Sequence, residues 1–175
     1  MITQASTIRI AIFDVDGVLS DGGLHYAETG DAMKTFDVRD GMGMKLLQDS
    51  GVALAIITSR RAGSVRERAA DLGIKHVMQG VTDKLAAFEA LLAEMSIPPE
   101  HAAFLGDDLV DLPVLRRCGF AVTVADAPAA LKRHADYVTH AAGGRGAARE
   151  FCEIILHSQG TLVTQTARYL GGTRH

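Results

Sequence analysis

The chain has 175 residues, 47% of them hydrophobic and 22% charged, and carries a formal net charge of -3 at pH 7. Those proportions describe an ordinary water-soluble globule, expected to be one domain over 1–175 and long enough to bury a substantial core. They exclude an extended basic surface for nucleic acid, and an aromatic content of 5% leaves few platforms on which bases could stack.

The first predicted element is a buried strand, Ile8-Arg9-Ile10-Ala11-Ile12-Phe13, which runs into Asp14-Val15-Asp16-Gly17-Val18-Leu19. A hairpin is expected over Leu24 to Val38, turning around Glu28-Thr29-Gly30-Asp31, with arms Leu24-His25-Tyr26 and Met33-Lys34-Thr35-Phe36. The stretch Gly41 to Ser50 reads as a helix stopped by Gly51, and Val52 to Ile57 as a second buried strand ending at Thr58-Ser59. A helix over Ser64 to Leu72, closed by Gly73, precedes a short strand at His76-Val77-Met78. Thr82 or Asp83 caps a helix reaching about Met95, with Leu85, Phe88, Leu91, Leu92 and Met95 on its apolar face.

Beyond the break at Pro98-Pro99, Ala102 to Leu105 is the next strand and Leu109 to Cys118 the next helix, with Pro113 inside it. Strands follow at Phe120–Val124 and Tyr137–Thr139, and a helix at Ala147–Leu156. The tail 160–175 has no periodicity and is expected to be mobile or bound to a neighbouring subunit. The β-α alternation implies an α/β fold: a three-layer, Rossmann-like parallel sheet with helices on both faces and a small β-hairpin insertion after the first strand.

Cys118 and Cys152 lie outside any C-x-x-C pair, as small core residues of a reducing compartment do. Met1 to Ser6 lacks the basic and apolar regions of a signal peptide, and no apolar run approaches the roughly 20 residues that span a bilayer. The expectation is a cytoplasmic protein with no membrane partner. The seven histidines show no zinc-site spacing, and Gly143-Gly144-Arg145-Gly146 lacks the ending of a P-loop.

Asp14 and Asp16 are the first candidates for chemistry. Alternate side chains of a strand share a face, so both would project from its carboxyl end, where open α/β sheets bind ligands. Clustered acids repel unless a cation or shared proton offsets them. The pair suggests a bound metal, one acid as ligand and nucleophile, and the other as proton carrier; an Asp-Gly turn is the plainer alternative. Further polar clusters sit at Thr58 with Ser59 and Arg60, at Lys84, and at Gly106-Asp107-Asp108-Leu109-Val110-Asp111. Singly, these could be a helix cap, a solvated lysine and acids at a helix's positive end. Their order, each at a strand end or helix start, makes them a site.

In these motifs the chain resembles the haloacid dehalogenase superfamily of phosphohydrolases. The resemblance implies Mg2+ bound by Asp14, the backbone carbonyl of Asp16, and Asp107, completed by phosphate and water. It further implies that Asp14 attacks phosphorus while Asp16 serves as acid and then base. Lys84 and the Thr58 hydroxyl would bind the phosphoryl oxygens, with Asp108 and Asp111 orienting metal waters or Lys84.

Neither insertion point between these motifs holds a cap domain, so one subunit leaves its site open. Asp14 to Gly22, Phe36 to Gly43, Gly106 to Pro113 and Gly143 to Glu150 resemble the capless 3-deoxy-D-manno-octulosonate 8-phosphate phosphatases, which supply a sugar acid for lipopolysaccharide. The resemblance implies a homotetramer whose hairpins join and whose sites lie at subunit interfaces. Arg60 would bind the substrate carboxylate, with Gly17 and Ser59 nearby, and Arg39 and Arg145 could act across a subunit boundary. A related nonulosonate 9-phosphate phosphatase, a non-catalytic tetramerising module and a receiver domain are the alternatives.

Overall fold

Runs of aliphatic residues too short for helices and apolar on both sides can be satisfied only inside a covered sheet. In the computed structural model, which describes residues 2–26 and 32–170, they form such a sheet. Its strands are β1 (Ile10–Phe13), β4 (Ala53–Thr58), β5 (His76–Gln79), β6 (Ala102–Gly106), β7 (Phe120–Thr123) and β8 (Tyr137–Val138). They are all parallel, in the order β5-β4-β1-β6-β7-β8. The chain builds outward from β1 to β5, then returns to place β6 on the other side of β1. That reversal makes the carboxyl ends of β1 and β6 the topological switch point, the usual ligand crevice of such sheets.

The helices are α1 (Val38–Asp49), α2 (Gly63–Leu72), α3 (Lys84–Met95), α4 (Leu112–Leu115), α5 (Ala129–Lys132), α6 (Ala147–Ser158) and α7 (Leu162–Ala167). Right-handed crossovers put α1 and α2 on one face and, once the chain reverses, α3 and α4 on the other. In agreement, α1 packs against α2, α6 and α7, while α3 packs against α4. Phe151 of α6 meets Phe13 of β1 edge-on at 5.3 Å and stacks on Phe120 of β7 at 6.3 Å. α6 lies close on α1 because Gly43 has no side chain; a Cβ there would come within 2.7 Å of Arg149.

Several boundaries differ from the sequence reading. α1 starts at Val38 rather than Gly41, because the Asp37 carboxylate accepts from Arg39 N–H at 2.7 Å and caps the helix, a polar signal that apolar periodicity misses. The helix expected over Leu109–Cys118 is instead a 3₁₀ turn, Leu109–Asp111, followed by the single turn of α4. Pro113 lacks an N–H and would clash with the carbonyl of Leu109 in a continuous helix, so it takes a place at the start of α4.

The hairpin arms are β2 (His25–Tyr26) and β3 (Ala32–Met33), antiparallel, with His25 opposite Met33. The second arm therefore stops short of the expected Lys34–Phe36 segment, and the expected turn falls outside the described residues. Within the tail, residues 162–167 form α7, where the sequence suggested no element. Gln165 is buried and donates to Asp49 O at 3.3 Å, and Arg168 pairs with Asp49 at 2.9 Å, so polar end-of-helix contacts hold it on α1. Among the described residues, no helix is long and apolar enough to cross a membrane.

Phe151→Ala should remove both ring contacts and lower the free energy of unfolding by about 3–5 kcal/mol, read from urea denaturation with an unchanged slope.

Candidate active site

β1 ends at Phe13, so Asp14 and Asp16 stand in the turn beyond it. The amides of Val18, Leu19 and Ser20 converge on Val15 O at 3.2, 2.9 and 2.9 Å, winding this turn tightly. The two acids thus meet through a turn and not through the pleat of a strand, as the sequence reading assumed. Gly17 has φ +77°, and a Cβ there would lie 2.1 Å from Asp107 Oδ2. Only glycine allows this backbone to close on Asp107 from β6.

Lys84 opens α3, where Asp83 caps the helix by accepting from Ala86 N–H at 2.9 Å. Its Nζ is buried and donates to Asp14 Oδ2 and to Asp111 Oδ1, each at 2.6 Å. Asp111 is fully buried, and its other oxygen accepts from Asp107 N–H at 2.9 Å and Asp108 N–H at 3.3 Å. Asp14 Oδ1 accepts from Val15 N–H at 2.7 Å. Burial works against the charge of Lys84, but the two carboxylates outweigh it and raise its pKa.

The remaining acids are under electrostatic pressure. Burial, then the charge of Asp111, pushes Asp14 up to about 6 despite Lys84. Burial, then the charges of Asp14 and Asp111, pushes Asp107 up to about 7. Carboxyl oxygens of Asp14, Asp107 and Asp111 lie within 4.8 Å of one another. Both oxygens of Asp111 already accept hydrogen bonds, whereas the Asp107 carboxylate accepts none among the described residues. Clustered hard oxygen donors, short of positive charge, fit a small divalent cation such as Mg2+.

Asp16 is paired through Oδ1 with Lys34, whose side chain is 2% exposed, while Asp16 Oδ2 is buried with no hydrogen-bond partner among the described residues. Lys34 escaped the sequence reading. In the linear chain nothing separates it from a solvated lysine of the hairpin, and only the fold brings it to Asp16.

Asp14, Asp16, Thr58, Lys84 and Asp107 line one cavity of about 280 Å³, together with Ser59, Arg60 and Asp108. Arg60 and Ser59 also line a neighbouring cavity of about 400 Å³, which Lys34, Arg61 and Leu24 complete. Gly17 lies behind Asp107 and lines neither of these. Asp108 caps the 3₁₀ turn by accepting from Leu109 N–H at 2.7 Å. Arg39 is exposed and pairs with Asp37 at 2.7 Å, and Arg145 is exposed and lies 3.6 Å from Asp21. Neither arginine lines either cavity of its own subunit.

The family model for haloacid dehalogenase-like hydrolases matches residues 73–151. The chain is 50% identical over 162 residues to the 3-deoxy-D-manno-octulosonate 8-phosphate phosphatase KdsC of Salmonella typhimurium, covering 93% of this chain and 86% of that one. The chain belongs to the haloacid dehalogenase-like hydrolases. Within that family, the crystal structure of 3-deoxy-D-manno-octulosonate 8-phosphate phosphatase from Yersinia pestis superposes with a TM-score of 0.91 at 48% identity, over 93% of this chain and 88% of the other. The same enzyme from Moraxella catarrhalis, in complex with magnesium ion, phosphate ion and KDO, superposes with a TM-score of 0.93 at 42% identity, over 95% of both chains. The hydrolase family agrees with a site arranged for phosphoryl groups.

The folded pKa values of Asp14 and Asp107 lie above the ordinary aspartate value of 3.8. Without a cation, the folded state therefore binds more protons than the unfolded chain between about pH 4 and pH 7, and these groups lower stability as pH rises through that window. A bound cation takes the place of those protons. Added Mg2+ should raise Tm more at about pH 8 than at about pH 5 in thermal melts; equal shifts at both would remove the cation from these carboxylates.

Proposed function

We propose that this chain is a magnesium-dependent phosphomonoesterase that hydrolyses 3-deoxy-D-manno-octulosonate 8-phosphate to the free sugar acid and phosphate, a step in making lipopolysaccharide precursors. The observation that carries this reading is the buried Asp14–Lys84–Asp111 network, beside Asp16 and Asp107. It stands in a chain half identical to phosphatases named for that substrate.

Asp14 is the nucleophile. Val15 N–H holds one carboxylate oxygen and Lys84 the other, so the group meets phosphorus in a single orientation. In-line attack forms an aspartyl-phosphate and breaks the bond to the sugar oxygen, which takes a proton from Asp16. Oδ2 of Asp16, unpartnered among the described residues, carries that proton, while Lys34 holds Oδ1. Asp16 then removes a proton from water, which attacks the acyl phosphate, releases phosphate and restores Asp14. Thr58 and Lys84 bind the transferring oxygens, and Asp111 fixes Lys84 through a direct hydrogen bond. Mg2+, held by Asp14, Asp107 and the Asp16 carbonyl, supplies positive charge that screens the phosphoryl oxygens from these acids.

The sugar acid extends into the adjoining cavity, where Arg60, shared by both cavities, meets its carboxylate. Assembly into a homotetramer closes this open site. Supporting that reading, Met33 and Val38 are 70% and 78% exposed on the hairpin and the start of α1, apolar surface suited to a neighbouring subunit. Arg39 and Arg145, solvent-exposed here, would reach a site across such a boundary. The free thiols of Cys118 and Cys152 suit a cytoplasmic location.

Asp14→Asn should retain the wild-type Tm within a few degrees yet lose at least about a thousandfold in phosphate release, measured with Mg2+ and after chelation. Appreciable turnover by that variant would eliminate the nucleophile. Specificity constants for eight- and nine-carbon 2-keto sugar acid phosphates should favour the former. A native mass of four subunits is expected, and a monomer of full activity would refute the shared site.

A further inference from the structure

Asp40 is a buried acid that the mechanism does not use. It lies in the first turn of α1, is 2% exposed, and has one oxygen, Oδ2, with no hydrogen-bond partner among the described residues. Its other oxygen accepts from Arg149 N–H at 2.8 Å. Arg149 is the third residue of α6, the position whose amide an N-cap side chain ordinarily satisfies. Gly146, at the cap of α6, has φ 110° and no side chain to do so. Asp40 therefore caps α6 from a different helix, far away in the sequence.

The loop that α6 anchors reaches the active site. Gly144 N–H donates to Val18 O at 2.8 Å. Gly143 packs flush on the same turn, and a Cβ at that position would fall 1.8 Å from Gly17 O. The loop's other end is also tied by carboxylates: Asp126 accepts from Gly143 N–H at 3.0 Å, and Glu150 from Ala141 N–H at 3.1 Å. The Gly17–Val18 backbone directly follows Asp16 and sets where its side chain and carbonyl point.

We propose that Asp40 is a positioning residue for phosphoryl transfer: by capping α6 it fixes the Gly143–Gly146 loop, and that loop fixes the turn presenting Asp16. The inference rests on the phosphatase reading. An ordinary cap needs one acceptor oxygen, so Asp40→Asn preserves the function and Asp40→Ala removes it. Displacement of Asp16 affects the chemical step, so kcat falls; KM reports separately on Arg145, which the same loop carries toward a neighbouring site.

The test compares wild type, Asp40→Ala, Asp40→Asn and Cys152→Ala, all with Mg2+ and well below their melting temperatures. Cys152 is buried on α6 near Asp40 and forms no part of the site, so its truncation loosens the packing of α6 while leaving the Asp40 carboxylate in place. Asp40→Ala should lower kcat on the order of tenfold. Asp40→Asn should recover at least about half of the wild-type kcat, and Cys152→Ala should lower Tm while keeping kcat. Amide hydrogen exchange at Gly144 should quicken in Asp40→Ala only. Wild-type kcat in Asp40→Ala, an equal kcat loss in Cys152→Ala, or unchanged exchange at Gly144 would overturn the proposal. Should the wild type release no phosphate, the phosphatase reading fails, and exchange at Gly144 still decides whether Asp40 holds the loop.

Discussion

A single ammonium group, Lys84 Nζ, sits between the carboxylates of Asp14 and Asp111 with little access to water, and the site is organised around it. Buried charges are tolerated only when paired and hydrogen-bonded, so three elements must meet at one point: the end of β1, the start of α3 and the 3₁₀ turn after β6. Asp111 also receives the amides of Asp107 and Asp108, which converts one ion pair into a scaffold for the loop carrying Asp107. Burial first, and then the excess of negative over positive charge in the network, pushes Asp14 and Asp107 above the usual carboxylate range, and a bound cation would offset both.

Around that charge network the backbone comes unusually close to itself. Gly17 lets the turn after β1 lie against Asp107, Gly106 makes room for the Asp111 side chain, and Gly143 lies on the carbonyl of Gly17. Each contact would be blocked by a Cβ. The position of Asp16 is consequently set by backbone packing on both sides and by its ion pair with Lys34 of the hairpin segment. Catalytic geometry here depends on surfaces remote from the reacting atoms, including the α1–α6 interface.

Much of the frame was legible because its signals are local. Short apolar runs marked β1, β4 and β6, glycines closed α1 and α2, and Thr82 or Asp83, of which Asp83 proves to be the cap, announced α3. The polar residues at those strand ends named Asp14, Asp16, Thr58, Lys84 and Asp107, which the fold brings to one cavity. What was not legible was one element held by contacts elsewhere and two boundaries set by local polar and proline signals that apolar periodicity misses. α7 is held by Asp49, the Pro113 segment divides because of backbone geometry, and Asp37 extends α1 through a cap.

Sequence by itself determined the order of strands and helices and the kinds of side chain at each strand end, since periodicity and turn chemistry act over a few residues. Tertiary structure alone decided that Lys34 would face Asp16 and that Asp40 would cap α6, and it chose Asp111 over Asp108 as the partner of Lys84. It also left Arg39 and Arg145 outside the cavities of their own subunit. Those pairings join residues 18, 27 and 109 positions apart. Such partners are chosen by which buried charges and orphan amides the packed chain must satisfy, a requirement that arises only once water has been excluded.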